Sequence, residues 1–324
     1  MHPILFNLGE TPVAAYGVLL AVSLILGWIL SLRLAKLDKL PADLLGTGYV
    51  LSVGGGLLVA RSMWLFANGE LGDLSALISL EAGGLSGFGG VLAGLIIAGL
   101  FCQNKKIPPW AWLDAAAPAF LIGMVIERVA AFLAGADFGH YVDASFPLAV
   151  QYPAESVVHA FHRTQLSGLV LPADRSLPVH PSQLYAALSA LVGVILAFVV
   201  RGRRRYSGEV ALFALGYFAV VRYLIEDPFR HDATPDLAGP ITLGQVTAIA
   251  VVVLVVVTHV GRLRALEEDP KGLQQWLGGP WTPGWDEDGK KKKKKKASKK
   301  AAGDKADDKK ANDKKADKKK ADAD

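Results

Sequence analysis

Lipid offers no partner to a backbone N–H or C=O, so any stretch that crosses a bilayer must close its own hydrogen bonds, as a helix does. A crossing helix needs about 20 consecutive apolar residues. Windows approaching that length recur about seven times in this chain. They lie near 13–32, 44–64, 88–102, 110–133, 181–200, 210–225 and 241–260. The expectation is an all-α polytopic integral membrane protein with about seven transmembrane helices. Residues 88–102 are short and glycine-interrupted, and 210–225 carry charge. A 52% hydrophobic content and a mean hydropathy of +0.32 fit a membrane protein better than a soluble one. Gly54, Gly55, Gly56, Gly89, Gly90 and Gly94 suit close helix packing in lipid. The first run lacks a basic leader and a small-residue cleavage pattern, so it reads as a span and not as a cleaved signal peptide.

Charge sets the orientation. Arg33, Lys36 and Lys39 follow the first run, Lys105 and Lys106 the third, Arg201, Arg203, Arg204 and Arg205 the fifth, and Arg262 and Arg264 the seventh. These loops share one side, which the positive-inside rule assigns to the cytoplasm. The opposite side has Glu10, Glu70, Asp73 and Glu81. The N-terminus is then outside and the C-terminus inside. The longest outer connection, about 134–180, is expected to form a small extracytoplasmic head between spans four and five. Residues 266–289 form a Trp/Pro/Gly linker, whose Trp276, Trp281 and Trp285 suit a headgroup interface. Residues 290–324 hold 17 Lys and 7 Asp, a charge of +10 against +5 for the whole chain, which leaves −5 on the rest. Such a Lys/Ala/Asp tail reads as disordered, either as a solubilising segment or as one adhering to anionic inner-leaflet lipids. The basic pI belongs to this tail, so no nucleic-acid partner is expected. The lone Cys102 excludes an internal disulfide and a cysteine metal cluster, and no metal or cofactor is expected.

Several charges fall where lipid should be. With this topology Arg61, Glu127, Arg128, Arg222 and Glu226 all lie near the outer ends of their spans. Tyr16 opens the first span from the outside, and His180, Ser182, Gln183 and Tyr185 open the fifth. Helices of opposite direction thus bring polar groups to one depth. Snorkelling or an Arg222–Glu226 pair at helical spacing accounts for any single arginine. Three converging arginines point to a ligand, because charge in a span is costly and usually functional. The guanidinium fork matches phosphate, so a phospholipid headgroup at the outer leaflet is the expected ligand. Arg222, Glu226 and Arg230 fall on one helical face, with Pro228 expected to end the helix before Arg230.

Particular stretches then resemble a known family. "YGVLLAVS" (16–23), "GLLVARSMWLF" (56–66), "GGLSGFGG" (83–90), "IERVAAFLAGADFGH" (126–140), "HPSQLY" (180–185) and "GYFAVVRYLIEDPFR" (216–230) resemble prolipoprotein diacylglyceryl transferase. The likeness covers about 1–260, in order and with the family's span count, so 1–265 is expected to be the membrane transferase domain.

The resemblance implies transfer of diacylglycerol from phosphatidylglycerol to the lipobox cysteine of a prolipoprotein signal peptide, in the bacterial cytoplasmic (inner) membrane. The nucleophile then belongs to the substrate, and Cys102 is structural. Arg128 and Arg222 match the family's two key arginines, which would bind the phosphate and stabilise charge growing on it. A guanidinium nearby also favours the attacking thiolate. On this resemblance Tyr16 lines the lipid site and Glu226 orients Arg222. Gly139 ends a signature, and Ser182 and Gln183 bond headgroup or peptide. Arg61, Tyr185 and Arg230 complete the substrate-binding set.

The chain also departs from the pattern. Phe88 stands where the family carries a histidine, a candidate general base. Ala131 and Ala136 replace an asparagine and a glutamate, with Asp137 beside the second. His140, His159, His162 and His180 are outer-side histidines able to supply a base, though a plain loop role suits each. Three readings stay open on sequence: the transferase, a related enzyme with another lipid or acceptor, and a lipid-binding paralogue without activity.

Overall fold

The structure, a computed structural model, describes residues 4–9, 11–69, 77, 85, 87–165, 171–231, 236–238, 241–269 and 273. The Lys/Ala/Asp tail, the three tryptophans of the linker, Glu10, Glu70, Asp73 and Glu81 lie outside the described residues.

Helix dominates, as the apolar runs require. The long elements are α1 (Ala15–Leu37), α2 (Ala42–Ala67), α3 (Gly87–Lys105), α4 (Pro109–Ala134), α6 (Ser182–Arg203), α7 (Glu209–Val221) and α9 (Leu243–Glu268). Among the described residues, five helices are long and apolar enough to cross a membrane: α1, α2, α4, α6 and α9. The third window yields the shorter apolar α3. The sixth does not run as one α-helix. α7 ends at Val221, and Arg222–Glu226 form a π turn followed by the short α8 (Asp227–Phe229). The chain is therefore mainly and not wholly α. Among the described residues it also carries two antiparallel pairs, β1 (Ile4–Leu8) with β2 (Thr11–Ala14) and β3 (Asp236–Ala238) with β4 (Ile241–Thr242).

Packing follows side-chain size. Helix α2 lies on α3, α1 on α4, α4 on α6, and α7 on α9. A Cβ at Gly56 would stand 2.8 Å from the Gly90 carbonyl oxygen, and one at Gly90 would stand 2.9 Å from Ala60 Cβ. Those two glycines let the α2 and α3 backbones touch, as small residues do in lipid. Gly54 has open space and plays no such part. Ala117, Leu121, Val194, Ala197, Val210 and Ala214 form the core where α4, α6 and α7 meet. Large apolar side chains face outward on α9, including Val253, Leu254 and Val257 at 56–64% exposure, a surface that lipid rather than water would cover.

At one end of the bundle, Arg201 and Arg204 do not sit as free loop charges. Both close on Asp38, at 2.8 and 2.6 Å. Asp114, fully buried on α4, accepts the Gly208 and Ala211 N–H groups at 2.8 and 3.0 Å. It thereby satisfies orphan donors at the start of α7.

At the other end, between α4 and α6, the chain builds a compact head. It contains α5 (Val157–Gln165) and a core of Phe138, Tyr152, Val158 and Val179. Bridges Tyr141–Val179, Val150–Val179 and Pro153–Arg175 tie its loops together.

Candidate functional site

The site grows from the way α4 stops. Gly135 adopts φ 73°. Its N–H reaches the Phe132 oxygen, and the Ala136 N–H reaches that of Ala131. This is the Schellman pattern, in which glycine tolerates the left-handed turn that reverses the chain. Asp137 follows, itself left-handed at φ 54°, a conformation aspartate accepts more readily than most residues. The first turn of α6 pins that corner. Ser182 Oγ donates to the Asp137 carbonyl at 2.8 Å, and Gln183 Nε2 donates to the Ala136 carbonyl at 2.6 Å. Both side chains are nearly fully buried, at 2% and 1% exposure.

The turn swings the Asp137 carboxylate back onto the helix it left. Asp137 Oδ2 lies 2.6 Å from Arg128 Nη1, and Oδ1 lies 2.9 Å from Arg230 Nη2. Arg128 also meets Glu226 at 3.2 Å and Glu127 at 3.4 Å. Glu127 Oε1 in turn accepts from the Tyr16 hydroxyl at 3.4 Å. Arg128 is thus buried and held by three carboxylates, as a charge removed from water must be.

Arg222 is held differently. Its guanidinium lies 3.7 Å from Glu226 and 3.5 Å from Asp227. Both separations exceed hydrogen-bond length. Its side chain keeps 26% exposure, against 10% for Arg128. The expected brace, Glu226 on Arg222, is therefore shared: Glu226 Oε2 stands between both arginines and nearer to Arg128. Glu226 Oε1 is buried and has no hydrogen-bond partner. The ion-paired set contains the arginines at 128, 222 and 230 and the carboxylates of Glu127, Asp137, Glu226 and Asp227. It holds one more carboxylate than guanidinium.

Six of the residues singled out on sequence meet here: Tyr16, Glu127, Arg128, Arg222, Glu226 and Arg230. Three more are scaffold by geometry. Ser182 and Gln183 direct their donors at main chain. Gly139 bridges to Arg230 and donates its N–H to the His180 carbonyl at 3.1 Å. A Cβ there would stand 2.9 Å from the Phe229 carbonyl oxygen and closer still to that of His180. Tyr185 packs on Phe229 and His180, with its hydroxyl 3.3 Å from His180 Nδ1. Arg61 is buried on α2, its guanidinium 5.0 Å from the Trp64 ring. Phe88 lies in the first turn of α3.

The histidines expected on the outer side divide by burial. His162 is 1% exposed, and its Nδ1 accepts the Leu177 N–H at 3.2 Å. Burial, with His231 and His159 nearby, pushes it down to about 4. His159 is buried too. His180 is lowered by burial and then by His140. His140 is the exposed member of this group, its ring 5.7 Å from that of His231.

Sequence reasoning placed Glu127 at the outer end of its span and noted Asp137, but gave these two and Asp227 no part in the site. Glu127 was visible beside Arg128. Asp137 was visible one place beyond the alanine that replaces a glutamate, but its reach depends on two left-handed residues, Gly135 and Asp137, on either side of Ala136. Asp227 stands five residues from Arg222, about 140° around an α-helix, and sequence gave no reason to pair them.

Across residues 3–260 the chain matches the family model described as prolipoprotein diacylglyceryl transferase. A protein of Bacillus cereus (strain B4264), named phosphatidylglycerol–prolipoprotein diacylglyceryl transferase, is 26% identical over 270 residues, or 83% of this chain and 94% of its own. A relative of the same name from Bacillus cytotoxicus (strain DSM 22905) is 24% identical over 271 residues, or 83% and 95% of the two chains.

Proposed function

Since this chain belongs to the prolipoprotein diacylglyceryl transferase family, we propose that it moves the diacylglyceryl group of phosphatidylglycerol onto the lipobox cysteine of secreted precursors. The observation that carries the reading is the contrast between the two arginines. Arg128 is locked by carboxylates. Arg222 is partly exposed and has only long ion pairs, so its N–H donors are available to a ligand. A guanidinium in that state suits a phosphodiester.

In the proposed reaction the substrate's thiol gives up its proton to solvent water, and the sulfur attacks the diacylglycerol carbon that carries the phosphate ester. The carbon–sulfur bond forms as the carbon–oxygen bond breaks. Glycerol phosphate leaves with the bonding pair. Negative charge grows on its phosphate in the transition state, where Arg222 is placed to stabilise it. Arg128, held by its carboxylates, fixes the shape of the pocket. Tyr16 and Arg230 close two sides. Ser182, Gln183 and Gly139 act through the corner they hold. Arg61 and Tyr185 would line the lipid's approach.

The topology that goes with this reading sets the site at the outer leaflet of a bacterial cytoplasmic membrane, with seven crossings, the head outside and the C-terminus inside. The Lys-rich tail would then meet anionic lipids of the inner leaflet. The presence of Asp137 in the Arg128 cluster favours an active enzyme over a degenerate paralogue, because a carboxylate is supplied even though Ala136 has none.

The test is complementation of cells depleted of their own transferase, scored by lipid labelling of a lipobox precursor. Wild-type protein should restore labelling, and Arg222→Ala should not. Failure of wild type, with the protein present in the membrane, removes the reading. Phe88→His tested alongside measures whether the absent histidine limits the rate.

A further inference from the structure

We infer that Asp227 is a positioning residue for Arg222, made so by the π turn and anchored from α9; this rests on the role of Arg222 proposed above. In an α-helix a residue and the fifth after it sit about 140° apart and cannot face each other. The wider turn at Arg222–Glu226 changes that. Its closing hydrogen bond runs from the Asp227 N–H to the Arg222 carbonyl, a five-residue step. The same step brings Asp227 Oδ1 to 3.5 Å from Arg222 Nη2. Backbone and side chain of one residue thus both close on Arg222.

Asp227 is itself held from the far side. Its Oδ2 accepts the Thr242 hydroxyl at 2.8 Å. Thr242 caps α9 in a reciprocal box with Gln245, at 3.0 and 3.2 Å. Gly244 lies against the carboxylate so closely that a Cβ there would overlap Asp227 Oδ2. The residue is 3% exposed, and its Oδ1 has no hydrogen-bond partner. A buried carboxylate oxygen without a hydrogen bond calls for an explanation. Orienting a guanidinium whose donors serve a ligand supplies one. Glu226 cannot do this alone, since its Oε2 is nearer Arg128 and would draw Arg222 inward.

A plain structural role, stapling α9 to the π turn, would rest on the Thr242 contact and not on the charge. A double-mutant cycle separates the two. Turnover and KM for phosphatidylglycerol, with a lipobox peptide as acceptor, are measured for wild type, Asp227→Asn, Arg222→Lys and the double variant, each checked for a monodisperse detergent profile. Asp227→Asn keeps an acceptor for Thr242. It should lower kcat at least tenfold and change KM less than threefold. In the Arg222→Lys background the same change should cost less than threefold in kcat. Thr242→Val, which leaves the carboxylate but removes its anchor, should give a smaller kcat loss of the same kind. Equal losses in both backgrounds, or full kcat in Asp227→Asn, overturn the inference. An inactive wild type would instead count against the proposed reaction.

Discussion

The Asp137 carboxylate lies 2.6 Å from Arg128 and is the group that joins this helix arginine to Arg230, 2.9 Å away on its other oxygen. Asn accepts a left-handed φ as readily as Asp, so Asp137→Asn removes the charge and keeps the turn. With the Asp137 side chain 26% exposed, the expected stability loss is about 1–3 kcal/mol. Transferase activity should fall at least tenfold. Thermal unfolding in detergent and labelling of a lipobox peptide check both numbers.

Gly139→Ala tests the corner from the other direction. The added methyl meets the carbonyl oxygens of His180 and Phe229, both backbone atoms held in a bridged stack. Overpacking of that kind costs about 1–3 kcal/mol or more, and displacing the segment that carries Asp137 should reduce activity with it. Gly202→Ala, where a Cβ meets nothing within 4 Å, should instead be neutral or stabilising by up to about 1 kcal/mol. Melting temperatures of the two variants in one detergent give the comparison.

The opposite end of the bundle offers a variant that separates stability from chemistry. Asp38→Ala removes the close carboxylate partner of Arg201 and Arg204, each 11% exposed in its side chain, leaving Arg201 the Leu34 carbonyl and Arg204 a 3.8 Å pair with Asp114. Removing one partner of a buried ion pair costs about 3–5 kcal/mol. Lower yield and a lower melting temperature are expected, with unchanged turnover per folded molecule. A matching fall in turnover would mean the two ends are coupled.

His162 predicts the pH response of the head. The native fold holds its pKa near 4, below the usual value of 6.5, because the ring is buried beside other histidines. The unfolded chain therefore binds the proton first as pH falls. This stability is fully present above about pH 6.5 and is lost progressively toward pH 4. Protonation also takes the lone pair that accepts the Leu177 N–H. Backbone hydrogen exchange in 171–180 should accelerate across that window in wild type. His162→Gln, which carries an acceptor that does not titrate, should flatten the response.

How far the sequence disclosed this molecule can be followed residue by residue. The apolar runs announced α1, α2, α4, α6 and α9 because length and hydropathy are local properties. Arg128, Arg222 and Glu226 were legible because charge within an apolar run is conspicuous. The glycines at 56 and 90 were readable as packing points, whereas Gly54 carries the same letter without the neighbour. The π turn was not legible, since one wide turn leaves the hydrophobic pattern before it intact. Asp137 depended on a tertiary corner fixed by Ser182 and Gln183 from another helix. Arg201 and Arg204 looked like loop charges because their partner Asp38 lies more than 160 residues away in sequence.

The surplus of carboxylates around the arginines bears on how an anion comes and goes. An unopposed cluster of guanidiniums would bind any phosphate tightly and release it slowly. Each arginine here already has an internal anion, so on the proposed reaction an arriving headgroup would exchange one negative partner for another. On that reaction Glu226 and Asp227 would take Arg222 back when the phosphate departs. A pocket working this way would favour turnover above retention.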